Sequence, residues 1–277
     1  IYKVSYTKSI LSMKKLIKTE AEIKLIREGG HILDRILKEV AAMARVGITT
    51  AQFEQKALEL IEEAGGRPAF KGYKSDKKSK PFPSALCISI NDEIVHGPAV
   101  PARIVKEGDI VTLDIGMEYP YVKGKKGYYT DMAVTIPVGN ISMAARTLLV
   151  GTKESLEAGI AVIKAGTKLS ELGAAIEAVL KKYKLGVVRD LVGHGVGYDV
   201  HEEPQVPNYG FKSGDFPDME LQAGMVIAVE PMATLGDWRI APAKDGFTYV
   251  TADGSLSAHF EHTLLVTKDG CEVLTQS

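Results

Sequence analysis

Apolar residues along this chain recur every three to four positions in some stretches and crowd or alternate in others. The first long periodic stretch opens on Thr19, with Glu22 three positions on. That is a capping-box spacing, and Ile23 and Ile26 begin a helical pattern that runs through Met43. Gly47 interrupts it. Thr49 and Gln52 then open a second helix, in which Phe53, Ala57, Leu60, Ile61 and Ala64 share one face, and Gly65-Gly66 ends it. The plan repeats later, with a helix over 149–163, a break at Gly166 and a further helix over 170–183. Gly47 and Gly166 are followed at equal offsets by an apolar residue (Phe53, Leu172) and then an apolar pair (Leu60-Ile61, Val179-Leu180). The correspondence points to an internal duplication.

Strand patterns follow each helix pair. They cover 85–90, 110–115 and 130–136 in the first half, and 225–229, 247–251, 256–266 and 271–274 in the second. Helix pairs followed by strands imply an α+β domain, with helices against one face of a mainly antiparallel sheet. Residues 71–83 are Lys-rich and end in two prolines, and 207–218 are rich in Pro, Gly and Asp; both read as loops. Residues 1–18 are expected to be an N-terminal extension or tag, and 19–277 a single domain.

Composition narrows the function. Lys plus Arg number 34 against 35 Asp plus Glu, so no global field favours a polyanion and DNA is not the expected partner. The Lys-rich stretches 71–80 and 123–126 read first as solvated loops; docking near ribosomal RNA is the sharper alternative. Two cysteines, Cys87 and Cys271, fit a reducing compartment better than a disulfide framework. No apolar run reaches membrane-spanning length and no signal-peptide pattern stands out, so a cytoplasmic protein is expected.

The candidate chemistry lies in acids set inside apolar strands. In IVTLDIG, Asp114 shares its face with Thr112 and Ile110, while Val111, Leu113 and Ile115 face the other way. Asp131 in TDMAVTI lies with Ala133 and Thr135, Glu230 in MVIAVEP with Ala228 and Val226, and Glu261 in HFEHTLLV with Thr263. Burying ionised carboxylates is costly without an opposite charge, and those strands contain no Lys or Arg to provide one. Divalent cations would. Four carboxylates and one histidine can hold two ions with a shared water. The histidine comes from GHGVGYDVHEEP, where the glycines beside His194 are expected to turn the backbone. His201 lies seven residues on, and His96 follows a strand in IVHGP. His259 and His262 flank Glu261 and read as residues holding that strand.

The segments CISINDEIVHG, GDIVTLDIG, YTDMAVT, GHGVGYDVHEEP, GMVIAVEPM and FEHTLLVT, in this order, resemble the pita-bread metallopeptidases, and among them the type I methionine aminopeptidases. The resemblance runs from about residue 20 onward. It implies a pita-bread fold with two helix pairs related by a pseudo-two-fold, and removal of N-terminal methionine from nascent chains with a small second residue. It implies two divalent ions (Co, Mn or Fe, with Zn as an option) on Asp114, Asp131, His194, Glu230 and Glu261. It gives catalytic roles to His96, His201 and Glu230, with His201 on the substrate carbonyl and His96 near the scissile amide. Tyr73, Cys87 and Phe247 match positions lining the substrate pocket. A monomer is expected.

Three features depart from the family pattern. The two aspartates stand seventeen positions apart, with EYPYVKGKKGYY between them, and a longer hairpin tip accounts for that spacing. Val200 stands where an aromatic commonly precedes HEEP, and Phe247 where Trp is common. A proline-directed aminopeptidase on the same fold is the rival enzyme, although such enzymes usually carry an extra N-terminal domain. A non-enzymatic binding module is the rival from another class; the complete ligand set argues against it.

Overall fold

The computed structural model describes residues 16–277 apart from 75, 78 and 213. Four helices are present among them: α1 (Glu20–Ala41), α2 (Thr50–Glu63), α3 (Met143–Val162) and α4 (Leu169–Lys182). The capping box opening α1 is complete, since Glu22 accepts from the Thr19 backbone N–H at 2.7 Å while the Thr19 hydroxyl accepts from Glu22 N–H. Ser142 caps α3 through Ala145 N–H at 3.1 Å. That helix therefore starts six residues earlier than the periodicity predicts, because Ser142 and the buried Ala145 and Leu148 extend the apolar face backwards.

The strands are β1 (Arg67–Pro68), β2 (Leu86–Ile90), β3 (Glu93–Val95), β4 (Ile110–Tyr119), β5 (Tyr128–Pro137), β6 (Gly186–Val187), β7 (Gly193–Gly195), β8 (Glu202–Val206), β9 (Val226–Val229), β10 (Met232–Thr234), β11 (Ile240–Pro242), β12 (Tyr249–Thr251), β13 (Ser257–His259), β14 (His262–Val266) and β15 (Cys271–Val273). The pairings among them are antiparallel. β4 and β5 form a long hairpin that continues past the aspartates, so the insertion lengthens the strands and adds a tip at 120–127. The strand expected over 256–266 is divided in two at Phe260 and Glu261. At the break Glu261 pairs with Ala133 of β5 instead.

Each helix pair covers its own sheet. α1 and α2 bury Leu33, Leu37, Phe53 and Ile61 against Val111, Leu113 and Ile115 of β4. α3 and α4 bury Leu148, Leu156, Leu172 and Ile176 against Ile227, Val229, Leu264 and Val266. The opposite faces of β4 and β5 carry Asp114 and Asp131, and Glu230 and Glu261 lie just after β9 and just before β14. The two halves are stitched together where β5 meets the chain around Glu261. Glu261 N–H donates to Ala133 O at 3.0 Å, Asp131 N–H to the Thr263 hydroxyl at 3.0 Å, and His259 N–H to the Thr135 hydroxyl at 2.8 Å.

Of the segment read as an extension, residues 1–15 lie outside the described residues. Residues 16–18 pack on the domain: Leu16 and Lys18 are buried, and Ile17 bridges to Met225. The domain therefore extends at least to Leu16. Among the described residues no helix is long and apolar enough to cross a membrane, and Cys87 and Cys271 are both free thiols.

Candidate active site

Register brings the five proposed ligands together. Asp114 pairs with Ala133, so Asp131, two positions away on β5, shares its face. On the second sheet His194 pairs with Ala228 and Thr263 pairs with the same Ala228, which places His194 on the face carrying Glu230 and Glu261. Donor atoms of Asp114, Asp131 and Glu261 lie within 4.8 Å of one another, and so do those of His194, Glu230 and Glu261. A third set within that range joins His201 to Asp131 and His194.

The glycines around His194 act differently from the expectation. They lie within extended β7 rather than at a turn. A Cβ on Gly193 would collide with Ala228 O, and one on Gly195 with Glu203 O. Glycine here lets β8 and β9 close on both sides of the histidine strand.

Electrostatically the acids cannot coexist as neighbouring anions without a cation. Burial raises the Asp114 carboxyl to about 7, with hydrogen bonds from Cys87 and Asp131 opposing the rise. Burial, then the Asp114 and Glu230 charges, pushes Asp131 well up; Glu230 and Glu261 rise for the same reasons. Asp114 Oδ1, Asp131 Oδ1 and Glu261 Oε1 are buried with no hydrogen-bond partner. Burial holds the His194 imidazole at about 4, hence neutral at pH 7. Its Nδ1 lies 2.9 Å from Gly195 O, so the Nδ1–H donates there and the Nε2 lone pair faces Glu230 Oε1 at 3.4 Å and Asp131 Oδ2 at 4.0 Å. A lone pair aimed at carboxylate oxygens is repulsive unless a cation sits between them. These residues therefore fit a dinuclear divalent site.

His201 and His194 stack edge to face with centroids 4.5 Å apart, and His201 Nδ1 lies 2.9 Å from the Tyr73 hydroxyl. The His201 side chain remains open to solvent at the cleft, yet desolvation by the surrounding protein and then the neighbouring imidazoles of His194 and His96 hold it well below its usual range. His96 occupies the left-handed region at φ 61°, which is unusual for a side chain of its size. Its ring meets Tyr249 edge-on at 5.9 Å. Cys87 pairs directly with Asp114 across β2 and β4. It packs with Phe70, Phe82 and Val200, and Tyr73 and Phe247 lie against that cluster. The three residues proposed to line a pocket are thus brought together, and Phe70 and Phe82, which sequence reasoning passed over, pack with them.

His259, read from the sequence only as a residue holding its strand, also reaches the site. It is buried, with Nε2 3.6 Å from Glu230 Oε2 and 3.9 Å from Glu261 Oε2, and burial lowers it to about 3. Its position two residues before Glu261 was the available signal, since alternate strand residues share a face.

The sequence model of metallopeptidase family M24 matches residues 24–268. Methionine aminopeptidase 1 of Bacillus subtilis is 39% identical over 262 residues, covering 94% of this chain and 99% of that protein. A crystal structure of methionine aminopeptidase from Thermotoga maritima superposes with a TM-score of 0.86 at 39% identity, covering 94% of this chain and 99% of that one. Prolidase from Pyrococcus furiosus aligns with a TM-score of 0.72 at 23% identity, over 97% of this chain and 67% of its own, and shares the fold alone. With the acids, imidazoles and apolar wall converging as described, the chain belongs to metallopeptidase family M24 and, within it, groups with the methionine aminopeptidases.

Proposed function

We propose that this protein is a dinuclear metal-dependent aminopeptidase that removes N-terminal methionine from polypeptides with a small second residue. The observation that carries the reading is the convergence of Asp114, Asp131, His194, Glu230 and Glu261, with buried oxygens of Asp114, Asp131 and Glu261 left without a hydrogen-bond partner, beside an apolar cluster. The oxygen-rich set suits Mn, Fe or Co better than a closed zinc site. When bound, the two cations supply the Lewis acidity that brings a water's pKa near neutrality and a seat for the free amino terminus.

The chain's own residues do the rest. Phe70, Phe82, Cys87, Val200 and Phe247 receive the methionine side chain and exclude water from it. With the Tyr73 O–H donating to His201 Nδ1, the neutral imidazole keeps Nε2–H as a donor for the substrate carbonyl oxygen as charge develops there. Glu230 takes a proton from the attacking water and delivers it to the leaving amine. His96, on the strained residue after β3, holds the scissile amide.

We assign the protein to the cytoplasm, acting as a monomer on nascent N-termini, and give the lysines of 71–80 and 123–126 the option of contacting ribosomal RNA. Cleavage of Met-Ala-Ser against Ala-Pro-Ala with Co, Mn, Fe or Zn tests the reading. Preferential hydrolysis of Ala-Pro-Ala would transfer it to the proline-directed class.

A further inference from the structure

The N-terminal approach to α1 ends in Lys18, whose side chain is 1% exposed. Its Nζ lies 2.7 Å from Glu202 Oε2 and 4.3 Å from the centroid of the Tyr198 ring. The other oxygen of Glu202 accepts from the backbone N–H of Tyr198 and from that of Asp199, the latter at 2.8 Å. Those two amides open the turn that presents His201. The Tyr198 hydroxyl donates to Glu22 Oε2 at 2.9 Å, the same carboxylate that completes the cap of α1. Lys18 is itself fixed, because its N–H donates to Gly224 O at 2.8 Å beside the Ile17–Met225 bridge.

We propose that Lys18 is a positioning residue for the reaction: by holding Glu202, it fixes the turn 198–201 and with it His201. A carboxylate bound only by two amides on one oxygen can swing about its last torsion. A cation on the second oxygen removes that freedom, and charge-assisted bonds of this kind are the stronger ones. The pair is largely out of water, so its tether is less screened than a surface ion pair. The inference rests on the proposed contact of His201 with substrate.

The test compares Lys18→Met, His201→Ala and the double variant, each loaded with Mn, by kcat and KM on Met-Ala-Ser. Amide hydrogen exchange across 198–202 is measured on the metal-free proteins. Lys18→Met lowers kcat by about 10-fold, within the range a small misplacement costs. It leaves metal content unchanged, speeds exchange at Tyr198 and Asp199, and costs nothing further in the His201→Ala background. An equal loss in that background, or unchanged exchange at the two amides, overturns the proposal. Should Lys18→Met not fold, Glu202→Gln takes its place in the same cycle with the same expectations. If His201→Ala alone keeps full kcat, the role given to His201 fails, while the exchange measurement still decides whether Lys18 holds the turn.

Discussion

Replacing Asp114 with asparagine should make the metal-free protein more stable while removing its ability to load metal. Burial raises the Asp114 carboxyl from 3.8 to about 7. Each pKa unit corresponds to about 1.4 kcal/mol, so ionisation of this side chain in the fold withholds roughly 4 kcal/mol above pH 7. Because the acids share that penalty, about half is a reasonable expectation for removing one. The folded pKa lies above the unfolded one. Stability is therefore fully present below pH 3.8 and is lost as the pH rises through about 7. The buried imidazoles act oppositely. His194 at about 4 and His259 at about 3 add stability as the pH rises toward 6.5 and nothing more above it. Between pH 6.5 and 8 the carboxylates act alone, and the metal-free protein should lose stability there. Thermal unfolding in EDTA at pH 8 should show Asp114→Asn melting roughly 5 °C above the parent, a gain that shrinks as the pH approaches 4. With Mn present the order should reverse. A metal-free variant that melts below the parent at pH 8, or a gain independent of pH, would refute the claim that uncompensated buried charge is what the cations neutralise.

Other outcomes follow from the same geometry. His201→Ala should lower kcat on the order of 10²–10³-fold with metal retained, whereas His194→Ala should lose metal first; calorimetric titration beside kinetics separates them, and equal metal loss would make His201 a ligand. N-acetylated Met-Ala peptides should resist cleavage, and turnover comparable to the free peptide by chromatographic assay would defeat the exopeptidase reading. Gly195→Ala should destabilise the fold by a few kcal/mol in denaturant titration, because its Cβ meets the Glu203 carbonyl rather than a yielding side chain; an unchanged midpoint would show that β7 and β8 can separate.

The helices were legible because capping boxes and a 3.6-residue period recur over many turns, as at Thr19–Glu22 and Ile23–Ile26. The four candidate acids were legible because an acid within an apolar strand is a local anomaly. Strands of two or three residues, such as β6, β7 and β10, leave no period to read. The division at Glu261 was hidden because pairing with Ala133, not local propensity, decides it. Lys18 reads locally as a solvated residue before a cap, and its partner Glu202 lies 184 positions away. Separation in sequence likewise concealed the bond between Tyr73 and His201, 128 positions apart.

The seam between β5 and the chain around Glu261 bears on the order in which this molecule becomes active. Asp131 is clamped to Thr263 across 132 positions, and the acids on either side of that clamp form one candidate coordination set. Neither half alone holds the set. During synthesis Asp114 and Asp131 emerge long before Glu261, so a divalent ion would meet the complete candidate set only after both halves have docked. Metal loading then marks the end of assembly rather than its nucleus, and a chelator added to a refolding reaction should leave the early rate of helix and hairpin formation untouched.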